Sequence, residues 1–161
     1  MQYLTALVDL NATLNFAQQI AKSIVPDFVV AVSGDLGAGK TTLVRGVLYD
    51  LGVTGNVKSP TYTIVEPYSV GNVDIYHFDL YRFNAGEEWL DSGFDEYFTK
   101  NSICFIEWAE KAYQYLPSID WWLKIIAVSD AEAAKDQRSV QITSLSDKGT
   151  ECLSQLIKHA D

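Results

Sequence analysis

The chain is 161 residues long, carries a formal net charge of −9 and is 48% hydrophobic. This length accommodates a single domain, residues 1–161, with a proper core, and excludes two domains of ordinary size. The acidic balance, with Arg45, Arg82 and Arg138 as the full set of arginines, argues against a broad electrostatic grip on DNA, RNA or an anionic membrane, which needs a basic patch.

Beyond Met1–Leu4 the first predicted element is a helix over residues 12–24. Asn11 is its candidate N-cap, and Leu14, Ala17, Ala21 and Ile24 recur at helical spacing to form one apolar face. Pro26-Asp27 ends it. The run Phe28-Val29-Val30-Ala31-Val32-Ser33 is short, apolar and β-branched, the composition of a buried parallel strand. Gly34-Asp35-Leu36-Gly37-Ala38-Gly39-Lys40-Thr41 follows, a full match to the phosphate-binding P-loop pattern. Its glycines let the backbone curl with N–H groups inward, a nest for phosphate oxygens. Lys40 supplies a mobile positive charge for the β- and γ-phosphates, and the Thr41 hydroxyl suits Mg²⁺. Downstream, Leu43, Val44, Val47, Leu48 and Leu51 share one helical face, with Gly52 as C-cap. That helix points its positive dipole end at the same phosphates.

A loop then leads to Ser59-Pro60-Thr61, and strand-like runs at residues 61–68 and 73–82 meet at Gly71-Asn72, a hairpin signal. Short helices are predicted over 84–90 and 94–98, a second buried strand over 102–107, and a helix over 109–116 stopped by Pro117. Strands at 121–128 and 139–145 flank the polar segment 129–138 and are expected to pair antiparallel near a sheet edge. Leu153, Leu156 and Ile157 mark a closing helix over 148–160. The expected class is α/β: a single-domain P-loop NTPase fold with a central mostly parallel sheet, antiparallel edge strands and helices on both faces. Its site should lie at the carboxyl ends of the strands. Cys104 sits within an apolar run and reads as a core residue. No basic-then-apolar leader and no stretch of membrane-spanning length is found, so the expected compartment is the cytoplasm.

Phosphoryl chemistry needs metal ligands, a group to place the attacking water and a positive charge. Glu107 ends the buried run Ile103-Cys104-Phe105-Ile106, where a Walker-B carboxylate would stand near the metal, although aspartate is more usual there. In His77-Phe78-Asp79-Leu80-Tyr81-Arg82, alternation puts Ile75, His77, Asp79 and Tyr81 on one face and Tyr76, Phe78 and Leu80 on the other. The second set reads as the core face. The first is either an exposed polar face or a histidine and acid available to share a proton or reach a metal. Arg82 is open between pairing with Asp79 and stabilising phosphate. Thr61 occupies the place of a γ-phosphate-sensing switch residue or a solvated turn. Trp108 is either core packing or an aromatic platform beside the nucleotide or a partner. Trp121 and Trp122 should alternate in and out of a strand.

Together, Gly34-Asp35-Leu36-Gly37-Ala38-Gly39-Lys40-Thr41-Thr42, Ser59-Pro60-Thr61-Tyr62, His77-Phe78-Asp79-Leu80-Tyr81-Arg82 and Phe105-Ile106-Glu107-Trp108 closely resemble the TsaE (YjeE) family of small bacterial P-loop ATPases. The resemblance implies a function that composition does not reveal. Such proteins support synthesis of threonylcarbamoyladenosine beside the anticodon of tRNAs reading codons that begin with A. They act with TsaB and TsaD, after TsaC makes a threonylcarbamoyl-adenylate. ATP hydrolysis would reset the TsaB–TsaD pair between turnovers, so tRNA is engaged only indirectly. By that likeness Gly37, Ala38, Gly39, Lys40, Thr41 and Thr42 bind the phosphates of ATP or ADP, while Thr41 and Glu107 hold Mg²⁺. Lys40, Asp79 and Glu107 are then the catalytic set, Asp79 placing water or the metal. Thr61 is the switch, Trp108 lies by the nucleotide, and Asn11 approaches the adenine.

Two other functions are compatible with the same residues. A small-molecule kinase would surround the transferring phosphate with several basic groups, and this chain has few arginines. A nucleotide-dependent docking switch, with hydrolysis incidental, would need only an order–disorder change in the γ-phosphate-sensing loop. The sequence has no Asn-Lys-x-Asp guanine-reading tetrad. No motif reads adenine either, so the preference for ATP rests on the resemblance.

Overall fold

Every residue of the run 28–33 is buried, which demands cover on both faces of the strand. The computed structural model, describing residues 1–128 and 137–160, supplies that cover from two kinds of element. In chain order the strands and helices are β1 (Gln2–Leu7), α1 (Leu10–Ser23), β2 (Phe28–Ser33), α2 (Lys40–Asp50), β3 (Val65–Val70) and β4 (Val73–Asp79). There follow α3 (Glu88–Asp91), β5 (Ser102–Glu107), β6 (Trp121–Ala127), β7 (Arg138–Ser144) and α4 (Asp147–Ala160). Short 3-10 turns stand at Phe94–Tyr97 and Ala109–Ala112. The described residues form one sheet of order β1-β7-β6-β2-β5-β4-β3. Its centre, β6-β2-β5-β4, is parallel; β3 pairs antiparallel with β4 at one end, and at the other β7 pairs antiparallel with both β6 and β1. The α/β class, the parallel centre and the antiparallel edges are therefore as expected.

Phe28, Val30 and Val32 point into one core layer, packed with Phe16, Ile20, Leu43, Val47, Leu153 and Leu156 of α1, α2 and α4. Val29 and Ala31 point into the other, where Phe78, Trp89, Phe94, Phe98 and Ile106 cluster under α3 and the 3-10 turns. All three long helices share one face, and the opposite face is closed by short helical pieces whose aromatic rings supply the bulk.

Several expectations need correction. The first strand was not anticipated: β1 pairs with β7 and forms the sheet edge, so β7 lies one strand inside it. Of its six residues only Leu7 is buried, the half-buried positions are Tyr3 and the polar Thr5, and Leu4 is exposed, too weak a signal without its distant partner. The first helix starts at Leu10 and is capped by Asp9, whose carboxylate accepts from the Ala12 N–H at 2.7 Å. Asn11 sits exposed in its first turn and is not the cap. Phe16, Ala17, Ile20 and Ser23 make the buried stripe, and Leu14 is 43% exposed. Finally, both faces of β4 are covered: Ile75, His77 and Asp79 are buried as fully as Phe78 and Leu80. Ile75 packs into the layer of the long helices and Phe78 into the aromatic layer on the opposite side, so both faces of this part of the strand are covered.

The β3–β4 hairpin turns at Gly71-Asn72, with Val70 opposite Val73. Gly71 takes φ +61, the left-handed conformation such a turn requires. Residues 61–64 make a turn rather than the start of β3, closed by the Ile64 N–H on the Pro60 carbonyl at 2.7 Å. Trp121 is buried and donates to the Gly149 carbonyl, whereas Trp122, half-buried on the opposite face, donates to the Ser33 hydroxyl. Most of the polar segment 129–138 lies outside the described residues.

Asp120 ties the start of β6 to its neighbours. Its carboxylate accepts from the Val29 N–H at 2.9 Å and from the Ser146 hydroxyl at 2.5 Å. Asp120→Ala strips both donors of their acceptor and is expected to cost about 2–3 kcal/mol in urea unfolding. An unchanged midpoint would contradict that role.

Candidate functional site

β2 delivers the chain to the loop at Ser33, and the next turns are possible only for glycine. Gly34, Gly37 and Gly39 have φ of +145, +77 and +100. Gly39 precedes α2 with no side-chain cap, so the first N–H groups of that helix are left for an anion. Lys40, 5% exposed, donates from Nζ to the Gly34 and Asp35 carbonyls at 2.6 and 2.8 Å. Its ammonium also lies 4.0 Å over the centroid of the Trp108 ring, a cation–π contact. Burial pushes the Lys40 pKa below its ordinary value, opposed by the charges of Glu107, Glu110, Asp79 and Asp35. A phosphate ligand would favour the charged form by the same electrostatics.

Two acids arrive from neighbouring strands. β4 and β5 are parallel and register Asp79 against Glu107, so both carboxylates emerge at the carboxyl ends of the sheet beside the loop. The Thr41 hydroxyl donates to Glu107 Oε2 at 2.9 Å, and His77 Nε2 lies 2.7 Å from Glu107 Oε1. Asp79 accepts from the Thr61 hydroxyl at 2.8 Å and from the Tyr81 N–H at 2.9 Å. Ser59 and Thr61 share a hydroxyl–hydroxyl bond of 2.9 Å. A cavity of about 290 Å³ opens among Leu36, Gly37, Gly39, Lys40, Thr41, Thr42, Thr61, Asp79, Tyr81, Glu107 and Trp108.

A second cavity, of about 270 Å³, adjoins the first across Gly39 and Thr42. Leu7, Leu10, Thr13, Ala38, Leu43, Ile125 and Arg138 complete its walls. The Arg138 Nε–H donates to the Ala38 carbonyl at 3.0 Å, tying β7 to the phosphate loop.

Of the residues expected to form a site, Gly37, Gly39, Lys40, Thr41, Thr42, Thr61, Asp79, Glu107 and Trp108 line the first cavity. Ala38 lines the second. Asn11 lines neither; Leu10 and Thr13, on α1, reach the second instead. The Arg82 guanidinium stacks 4.1 Å over the exposed Tyr62 ring and lines neither cavity. Trp108, in the left-handed region at φ +56, packs 5.2 Å from Tyr81 as well as under Lys40. Sequence reasoning missed Leu7, Ile125 and Arg138, which carry no motif; only β1 and the β6–β7 pairing bring them to the loop. The Cys104 thiol is buried and pushed up to about 12 by desolvation, consistent with a core role. Among the described residues no helix is long and apolar enough to cross a membrane.

The family model described as "Threonylcarbamoyl adenosine biosynthesis protein TsaE" matches residues 7–140. The tRNA threonylcarbamoyladenosine biosynthesis protein TsaE of Haemophilus influenzae is 40% identical over 160 residues, covering 96% of this chain and 98% of that protein. Its counterpart from Bacillus subtilis is 34% identical, covering 94% and 92%. The crystal structure of Bacillus subtilis YdiB superposes with a TM-score of 0.83 at 30% identity, over 100% of this chain and 97% of that one. The phosphate loop, the two strand-end acids and the match through both lead to one assignment: the chain belongs to the TsaE family of threonylcarbamoyl adenosine biosynthesis proteins.

Proposed function

We propose that this protein is a magnesium-dependent ATPase of tRNA threonylcarbamoyladenosine synthesis that acts on a TsaB–TsaD complex. The observation that carries the reading is the pair of cavities joined across Gly39 and Thr42. A nucleotide laid over the loop has its phosphates in the cavity of Lys40, Thr41, Asp79 and Glu107. Its base then rests against Leu7, Leu10 and Ile125 in the apolar neighbour, with Arg138 on the wall.

The donor set suits magnesium. Thr41 Oγ1 and Glu107 Oε2 are hard oxygens 2.9 Å apart at the mouth of the phosphate cavity, and Mg²⁺ is usually held by one or two protein oxygens plus phosphates and water. No group of three or more His, Cys, Asp or Glu side chains suited to a metal occurs among the described residues, so a cage made of protein alone is not on offer. When bound, the ion would neutralise charge on the β- and γ-phosphate oxygens.

The remaining chemistry belongs to the chain. Lys40 and the uncapped N–H groups of α2 hold the phosphates and stabilise charge that develops on them. Asp79, anchored by Thr61 and the Tyr81 N–H, keeps free lone pairs to orient water. Thr61 couples residues 59–64 to the nucleotide through Asp79, which is how hydrolysis would be signalled to a partner. The net charge of −9 fits a protein that reaches tRNA through its partners rather than directly.

Phosphate release should be slow for the isolated protein and rise when TsaB–TsaD is added. Lys40→Ala should weaken ATP binding about 10- to 100-fold, the worth of a charge-assisted contact. Brisk partner-independent turnover, unchanged affinity in Lys40→Ala, or equal affinity for ATP and GTP would each count against the reading. A variant that supports full tRNA modification without hydrolysis would instead favour a docking switch.

A further inference from the structure

His77 does not line the phosphate cavity; it is buried directly behind it, with no exposed surface. Nε2 lies 2.7 Å from Glu107 Oε1, and Nδ1, also buried, has no hydrogen-bond partner among the described residues. A carboxylate oxygen accepts, so Nε2 is the donor of this contact and Nδ1 is left without a partner. Simple packing does not account for this side chain. An apolar residue would fill the same space without an unsatisfied buried nitrogen, as Ile75 does two positions earlier on the same face.

The contact divides the two oxygens of Glu107. Oε1 is held from the core side by His77, and Oε2 faces Thr41 and the cavity. The last torsion of a glutamate is soft, so a carboxylate gripped only by the Thr41 hydroxyl would be free to turn.

We propose that His77 is a positioning residue that locks the plane of the Glu107 carboxylate, presenting Oε2 beside the Thr41 hydroxyl to a nucleotide-bound divalent cation. The proposal rests on the magnesium-nucleotide reading of the cavity. Metal ligands are commonly oriented this way by an outer partner, and losing that partner typically costs about 10- to 100-fold in metal affinity.

The test is a calorimetric titration of ADP across a series of MgCl₂ concentrations, which involves no turnover. Wild type is compared with His77→Leu, His77→Gln and His77→Asn. The amide nitrogen of glutamine reaches the place of imidazole Nε2, whereas that of asparagine stops near Nδ1. The His77→Gln variant should match the wild-type magnesium dependence. The Asn and Leu variants should need about 10- to 100-fold more magnesium for the same strengthening of ADP binding, with magnesium-free ADP affinity unchanged in all four. If His77→Leu fails to fold, as judged by circular dichroism, the Gln–Asn pair still decides, since both keep an amide in the core. An Asn variant as responsive to magnesium as a responsive wild type overturns this proposal alone. A wild type indifferent to magnesium overturns the cavity reading with it.

Discussion

Glu107→Gln should abolish at least about 99% of ATP hydrolysis while the protein still folds, because the charge that faces the metal and Thr41 is removed from a preorganised site. The neutral side chain keeps the length of glutamate and an oxygen able to accept from His77 Nε2–H, which in the wild type lies 2.7 Å from Oε1. Glu107→Ala should lose the same activity and also stability. It deletes the acceptor of a fully buried imidazole, and one unsatisfied buried donor costs about 1–3 kcal/mol. Single-turnover phosphate release with urea unfolding separates the two effects. If Glu107→Gln hydrolyses ATP at a rate near wild type, the carboxylate is not the metal-side group and the proposed chemistry fails.

Gly34→Ala should be nearly as damaging, by a different route. A Cβ at this position would sit 2.3 Å from the Ile125 carbonyl oxygen and 3.4 Å from Ala38 Cβ, at φ +145. The obstruction is backbone of β6, which cannot swing aside as a side chain can. Ile125 also walls the second cavity, so pushing β6 away disturbs both halves of the nucleotide site. Left-handed strain and overpacking together should remove about 2–4 kcal/mol of stability. Calorimetry with ATP should show affinity weakened at least about a hundredfold, the effect of roughly 3 kcal/mol. Gly37→Ala is the control, because its Cβ would meet nothing within 4 Å and only the strain of φ +77 remains. Equal loss in both variants would mean that conformation, not the contact with β6, limits the loop.

Much of the fold was legible because it is written locally. The motif Gly34–Thr41 is one contiguous segment, so the glycines, Lys40 and Thr41 are readable as a phosphate-loop pattern wherever the rest of the chain goes. Strand β5 was placed at its observed bounds because an uninterrupted apolar run ending in an acid has few other uses. The β3–β4 hairpin was visible from its turn dipeptide, although the turn at residues 61–64 delays the first strand to Val65. By contrast β1 gave little signal, since its inward-leaning set of Tyr3, Thr5 and Leu7 includes a polar residue while Leu4 and Ala6 are exposed.

Periodicity alone showed that His77 and Asp79 share a face, but not that this face is buried. That burial follows from the packing layers on both sides of the sheet, which take in Ile75 on one face of β4 and Phe78 on the other. Which acid His77 meets is decided by the parallel register of β4 on β5, where Asp79 stands opposite Glu107, a partner 30 residues away from His77 in the chain. Arg138 and Ile125 reach the loop through the pairing of β6 with β2 and β7. The chain alone thus determined the α/β class, the glycine-rich turn between β2 and α2 and the acid that ends β5, because short-range geometry is encoded in neighbouring residues. Only the tertiary structure decided which oxygen of Glu107 faces the cavity, what stands behind it and what walls the second pocket, because those depend on strand order and register between segments far apart in sequence.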